Sequence, residues 1–233
     1  LNTPSGMPPT FQGLLDWLGN DNNQKESFSS HHLSTWKKLR RRLLGLVIEG
    51  NGVLRRDDRN GNPLNLAVRE TVDPIVVDID SLSQVPALQR FVVATIFRQL
   101  VEAQTSSPTR ELFYVVALDE LNFFAPRGSK DAITQLIEMV AAKMRSRGII
   151  LLGAQQQASK VSETVIENSS IRVLGRSGSL ELSQSVWKSL SQGAKRKATE
   201  LAPNEKMILQ GNEPMYVRVP NPPWAMNPNE ART

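Results

Sequence analysis

Apolar positions recur at helical spacing early in the chain, where 10–18 sets Phe11, Leu14, Leu15 and Leu18 on one side behind a Thr10 cap. A polar stretch, 19–30, reads as loop. The next predicted helix starts at Ser34, with Trp36, Leu39, Leu43 and Leu46 along one side and Lys37, Lys38, Arg40, Arg41 and Arg42 on the other. Residues 53–68 are charged and carry the turn Asn60-Gly61-Asn62-Pro63, so they belong at the periphery. The pattern then changes. The β-branched run 75–79 predicts a buried strand and is followed by a long helix over 86–103. Strand, helix and strand follow again at 112–118, 130–145 and 148–153. Strands alternating with helices predict a parallel sheet covered on both faces.

Beyond this repeat, 162–168 predicts a short helix, 172–175 a brief strand and 179–190 a helix. Residues 206–210 and 215–219 flank Gly211-Asn212 and read as a closing hairpin. The Pro-rich residues 220–233 read as an extended tail. The expected organisation is a helical and loop segment over 1–70, an α/β core over 71–220 and a tail over 221–233.

Composition narrows the chemistry. The chain has 233 residues, 39% of them apolar, enough for a real core. It contains no cysteine, which excludes disulfides and thiolate metal sites and fits a reducing compartment. No apolar run approaches the roughly 20 residues of a membrane span, so the expected location is cytoplasmic, with no membrane partner. Net charge is +5, a mild bias towards phosphate backbones. His31 and His32 are the only histidines, adjacent in a polar stretch that reads as a tag remnant or solvated loop, and offer little to a Ser-His-Asp arrangement or a metal site. The first residue, Leu1, followed by the Pro- and Gly-containing 2–10, reads as a portion cut from something longer.

The most informative stretch is FYVVALDELNFFAP, 113–126, where an apolar strand ends in two adjacent carboxylates, Asp119 and Glu120. Ligands bind at the carboxyl ends of strands in open parallel sheets. Acids delivered there suit holding Mg²⁺ through water and polarising an attacking water. The plainer reading is a loop start whose carboxylates favour the next helix. The following strand ends in Gln155, Gln156 and Gln157, amides able to sense a phosphate or orient water, or simply three solvated side chains. Lys143, Arg145 and Arg147 sit where a helix C-terminus attracts cations, and an arginine there could also reach a neighbouring subunit's nucleotide.

The runs VVDIDSLSQVPALQRFVVATIFRQL (76–100), VVALDELNFFAPR (115–127) and MRSRGIILLGAQQQASKVSETVIENSSIRVLGR (144–176) resemble, in order and spacing, the HerA/FtsK ATPases, most of all HerA. The resemblance implies a partial RecA-like P-loop NTPase core, with Asp119 supporting Mg²⁺ and Glu120 activating water in a Walker B segment. It further implies Gln155 as the polar sensor, Arg145 as a trans-acting arginine and Arg176 as a further nucleotide-site residue. ATP and Mg²⁺ are the implied cofactors. The implied partners are double-stranded DNA bound without sequence specificity, further copies in a ring, expected to be a hexamer, and a nuclease or effector. Where the family reads ATQRPS, this chain has Gly153-Ala154-Gln155-Gln156-Gln157-Ala158, lacking the arginine and proline.

No G-x-x-x-x-G-K-[ST] phosphate loop occurs in the sequence; Gly128-Ser129-Lys130 and Gly193-Ala194-Lys195 are the nearest approaches. The expected function is therefore that of the C-terminal portion of a ring-forming, ATP-driven DNA translocase or helicase, with hydrolysis poor or absent in this chain by itself. Two alternatives stand beside it: a non-catalytic assembly or DNA-binding module of the same fold, and a conjugation or packaging motor. The basic groups at 37–42 and 195–197 could neutralise phosphates or form solvated helix faces.

Overall fold

The computed structural model describes residues 11–20, 33–50, 54, 74–106, 114–211 and 213–220. The chain divides into two units, 1–96 and 97–233. The turn expected at 60–63, the histidines at 31 and 32, the boundary at 70/71 and the tail 221–233 lie outside the described residues.

In the first unit, α1 (Phe11–Gly19) packs on α2 (Leu33–Glu49). Leu15, Val47, Leu54, Leu82 and Leu88 form its core, flanked by Phe11, Leu43 and Leu46. Each fully buried aliphatic side chain contributes about 1.5–3 kcal/mol. The Arg40 Nε also donates to the Leu15 carbonyl at 3.4 Å. Leu39, expected on the packed side of α2, is exposed, whereas Trp36, Leu43 and Leu46 are half-buried. The basic residues 37–42 are exposed as expected.

Residues 74–79 correct the sequence reading. They form no strand, and Val76 is 86% exposed. A strand needs a neighbour for its N–H and C=O groups, and among the described residues none pairs with this run. The chain turns instead: the Asp78 carboxylate accepts from the Asp80 amide at 2.9 Å, and Gln89 Nε2 donates to the Ile79 carbonyl at 2.9 Å. Helix α3 (Pro86–Ser106) opens on a proline, whose missing N–H costs nothing in a first turn.

The second unit holds the expected parallel pair. Strand β1 (Tyr114–Leu118) pairs in parallel with β2 (Ile149–Gly153), with Tyr114 opposite Ile149 and Leu118 opposite Gly153. Between them run α4 (Leu121–Phe124) and α5 (Ala132–Lys143). Asp131 caps α5 by accepting from the Thr134 amide at 2.9 Å. Ile133, Ile137 and Val140 of α5 are buried, as are Tyr114, Leu118 and Ile149 of the strands.

The expectation of a sheet covered on both faces is only half met. Alternate residues of a strand face opposite sides. Val115 and Leu152, which share the other face with Ala117 and Ile150, are 60% and 55% exposed. The crossover helix lies against one face, and the opposite face is left largely open.

After β2 come α6 (Glu163–Glu167), β3 (Arg172–Leu174), α7 (Ser179–Leu182), α8 (Gln192–Glu200), β4 (Glu205–Leu209) and β5 (Pro214–Arg218). The last three strands form a separate antiparallel sheet in the order β3-β4-β5. The hairpin is as expected, with Gly211 at φ +85, a conformation that costs glycine little. The single helix expected over 179–190 is instead α7 followed by a 3-10 turn at Ser185–Trp187. The turn sinks Trp187 into a core with Leu174, Leu182, Ala194, Ala198, Leu201 and Met207. Burial of that one large ring overrides the helical spacing.

Candidate functional site

The register of β1 on β2 brings the carboxylates and the glutamines to one edge. With Leu118 opposite Gly153, the Ala154 amide donates to the Leu118 carbonyl at 3.0 Å and the Leu121 amide to the Ala154 carbonyl at 2.9 Å. These two bonds lock the turn after β1 against the turn after β2. Glu120, between them, has φ 50 and ψ 47, and it is the one non-glycine residue with positive φ among those described. Left-handed backbone costs an ordinary L-residue roughly 1–2 kcal/mol. The Asp119 carboxylate accepts from the Glu120 amide at 2.9 Å, which holds that peptide in place.

Gln156 Nε2 donates to Glu120 Oε1 at 3.0 Å. Gln155, singled out from the sequence, is half-buried and does not make this contact; its amide oxygen is buried and accepts no hydrogen bond among the described residues. The same holds for Asn122 Oδ1, one residue past the Leu121–Ala154 bond. Three adjacent glutamines cannot be ranked by composition, so Gln156 was legible only as one of a run.

Asp119 and Glu120 are both exposed. The amide oxygens of Asn122 and Gln155 lie buried behind them. Two exposed carboxylates suit a hydrated divalent cation, whose waters donate hydrogen bonds. Among the described residues no group of three or more His, Cys, Asp or Glu could hold a metal directly. A cation here would keep most of its water, as Mg²⁺ does.

Arg145 is not part of this edge. It lies in the 3-10 turn Arg145–Arg147 just before β2, with Nη1 donating to Ser170 Oγ at 3.1 Å. Asp119 follows the far end of β1, so the length of a five-residue strand, roughly 13–17 Å, separates them along the sheet. Arg176 follows β3 in the antiparallel sheet and is exposed.

A hydrogen-bonded knot backs the edge. The Arg127 amide donates to the Lys160 carbonyl at 2.8 Å and the Ser162 amide to the Ala125 carbonyl at 2.8 Å. The Arg127 guanidinium pairs with Glu163 and reaches Ser185 Oγ at 3.2 Å. Glu181 accepts from the Ser159 amide at 2.9 Å, from Ser159 Oγ at 2.5 Å and from Trp187 Nε1 at 3.0 Å. Partial burial opposes ionisation of Glu181, but the bonds donated by Ser159, Trp187 and the Ala158 amide outweigh it and hold the carboxyl below its ordinary pKa.

No protein-family model and no curated protein matches the chain. Among solved structures, VirB4 of Thermoanaerobacter pseudethanolicus is similar, with a TM-score of 0.60 and 19% identity over 96% of this chain and 59% of that one. The genome packaging NTPase B204 from Sulfolobus turreted icosahedral virus 2, in complex with sulfate, aligns with a TM-score of 0.43 and 16% identity over 54% of this chain and 61% of that one. Its complex with ATP-gammaS gives 0.43 and 13% over 53% and 63%. The chain spans about three-fifths of the length of the structures it resembles. At such identity the likeness to VirB4 is one of fold, an α/β arrangement of a parallel strand pair with flanking helices. No described helix is long and apolar enough to cross a membrane.

Proposed function

We propose that this chain is the Walker B half of a HerA/FtsK-type P-loop ATPase core, a portion of a ring-forming motor that moves double-stranded DNA. The observation that carries the reading is the edge itself: two carboxylates and the glutamine run meet where parallel β1 and β2 end. Open parallel sheets bind their ligands at this place.

On this reading Asp119 holds Mg²⁺ through water, and the metal supplies charge neutralisation for the transferred phosphoryl group. Glu120 accepts the proton of the attacking water; its exposed carboxylate and fixed peptide suit a general base. Gln155 takes the sensor role from the end of β2. Arg145, a strand's length from its own chain's acids, serves a neighbouring subunit's site in a closed ring, as an arginine finger does. Arg176 contributes to nucleotide binding from the segment after β3.

The sequence has no Walker A motif. Phosphate binding therefore falls to a segment joined or bound to this chain. The uncovered face at Val115 and Leu152 supports that assignment, because half of a two-faced sheet leaves apolar residues in water. Hexameric assembly and a nuclease or effector partner belong to the same proposal.

The test is an ATPase assay, with and without DNA, on the protein that carries these residues together with a phosphate loop. Glu120→Gln is expected to lower kcat by at least a hundredfold while nucleotide still binds. Full DNA-stimulated turnover in that variant would overturn the assignment.

A further inference from the structure

Resting on that proposed site, the geometry points to Gln156 as the positioning residue of Glu120. The two side chains are 36 positions apart in sequence, yet Gln156 Nε2 lies 3.0 Å from Glu120 Oε1. Each is brought there by a fixed backbone. Glu120 sits in the left-handed region between the Asp119 carboxylate that accepts from its amide and the Leu121 amide bonded to Ala154. Gln156 is bracketed by Ala154, bonded to both Leu118 and Leu121, and by Gln157, whose carbonyl accepts from the Lys160 amide at 3.2 Å. Neither residue needs a large backbone change to make the contact.

The chemistry of the pair sets the role. A primary amide offers two donors, and one of them occupies a single oxygen of the carboxylate. The other oxygen, Oε2, stays free to take a proton from water. A glutamate side chain has three rotatable bonds, and this contact removes much of that freedom before any substrate arrives. Gln155 and Gln157 do not share the role, since neither makes this bond to Glu120.

The contact itself is read first, in the 233-residue chain, from the side-chain amide signals of Gln156 in a ¹⁵N–¹H spectrum. One amide proton should be shifted and slow to exchange, and Glu120→Ala should move it to the free position, whereas Ser170→Ala should not. Identical Gln156 signals with and without the Glu120 carboxylate would overturn the inference.

The consequence is read in the protein that carries the phosphate loop. Gln156→Ala should lower kcat roughly threefold to tenfold, the worth of one hydrogen bond, with nucleotide KM unchanged. Gln156→Glu places a second negative charge beside the first and should cost more than Gln156→Ala. Both changes should lose their effect when Glu120 is already glutamine. If Glu120→Gln abolishes turnover but Gln156→Ala leaves kcat intact, the positioning role alone fails. If Glu120→Gln leaves turnover intact, the catalytic reading fails along with it, whatever the spectrum shows.

Discussion

A Cβ placed on Gly153 would stand 2.3 Å from Leu121 Cδ2. The last residue of β2 thus has no side chain because the first residue of α4 lies over it, and the peptide between β1 and α4 is the one that carries Glu120. Gly153→Ala should force Leu121 aside and cost roughly 1–3 kcal/mol. Thermal unfolding checks this. The double variant Gly153→Ala with Leu121→Ala should show less than the sum of the two single effects, because the clash is gone. Additive losses would mean that the two residues do not press on each other.

Glu120 itself gives an opposite sign. Its φ of 50 is tolerated by glycine at little cost. Glu120→Gly should therefore leave stability unchanged or raise it by up to about 1 kcal/mol, after the entropy of the more flexible unfolded chain is subtracted. Hydrolysis in the loop-bearing protein should be lost in the same variant. A residue whose removal stabilises the fold and destroys activity is held in strain for chemistry. A clear drop in the unfolding midpoint would contradict this.

The sequence showed this edge better than it showed the sheet around it. The pattern of 112–118 and 148–153 placed both strands and both polar ends, because a five-residue apolar run stopped by charge or amide is a local signal. Ile75, Val76 and Val77 carry an equally strong local signal and yet form no strand. Strand formation depends on a partner that a one-dimensional pattern does not contain. Likewise Val115 and Leu152 look like any buried aliphatic, and their exposure follows from what is packed on one side of the sheet alone. Trp187 ended the helix expected over 179–190 through a tertiary contact, and α8 was hidden by the small alanines, Ala194 and Ala198, that let it approach the core. The Gln156–Glu120 bond depends on side-chain geometry that spacing cannot order.

The open face makes a prediction that tests the proposed completion of the sheet. In the 233-residue chain, Leu152→Lys should change stability by less than about 1 kcal/mol, because the residue is already in water. It should also reduce binding of an apolar dye such as ANS. In the protein that carries the phosphate loop, the same substitution should be severely destabilising, because there it would bury an unpaired charge. Equal tolerance in both would argue against a sheet completed by another segment.

Acid should loosen the second unit through Glu181. Its folded pKa lies below the unfolded value, so the stabilisation is fully present above the unfolded pKa and is lost as pH falls through the folded one. Unfolding midpoints measured from pH 6 down to pH 3 should fall, and Glu181→Gln should be less stable at pH 6 with a shallower decline. An unaltered pH profile in that variant would assign the acid sensitivity to other carboxylates.

The segment from Ala154 to Glu163 has little slack. It is bonded to Leu118 and Leu121 through Ala154, to Glu181 through Ser159, to Arg127 through Lys160 and to Ala125 through Ser162. A connection fastened at so many points along so few residues acts as a strut and not as a tether. Force applied to the helices around Trp187 has a short load path to the end of β1, with no loose stretch along it to absorb the displacement.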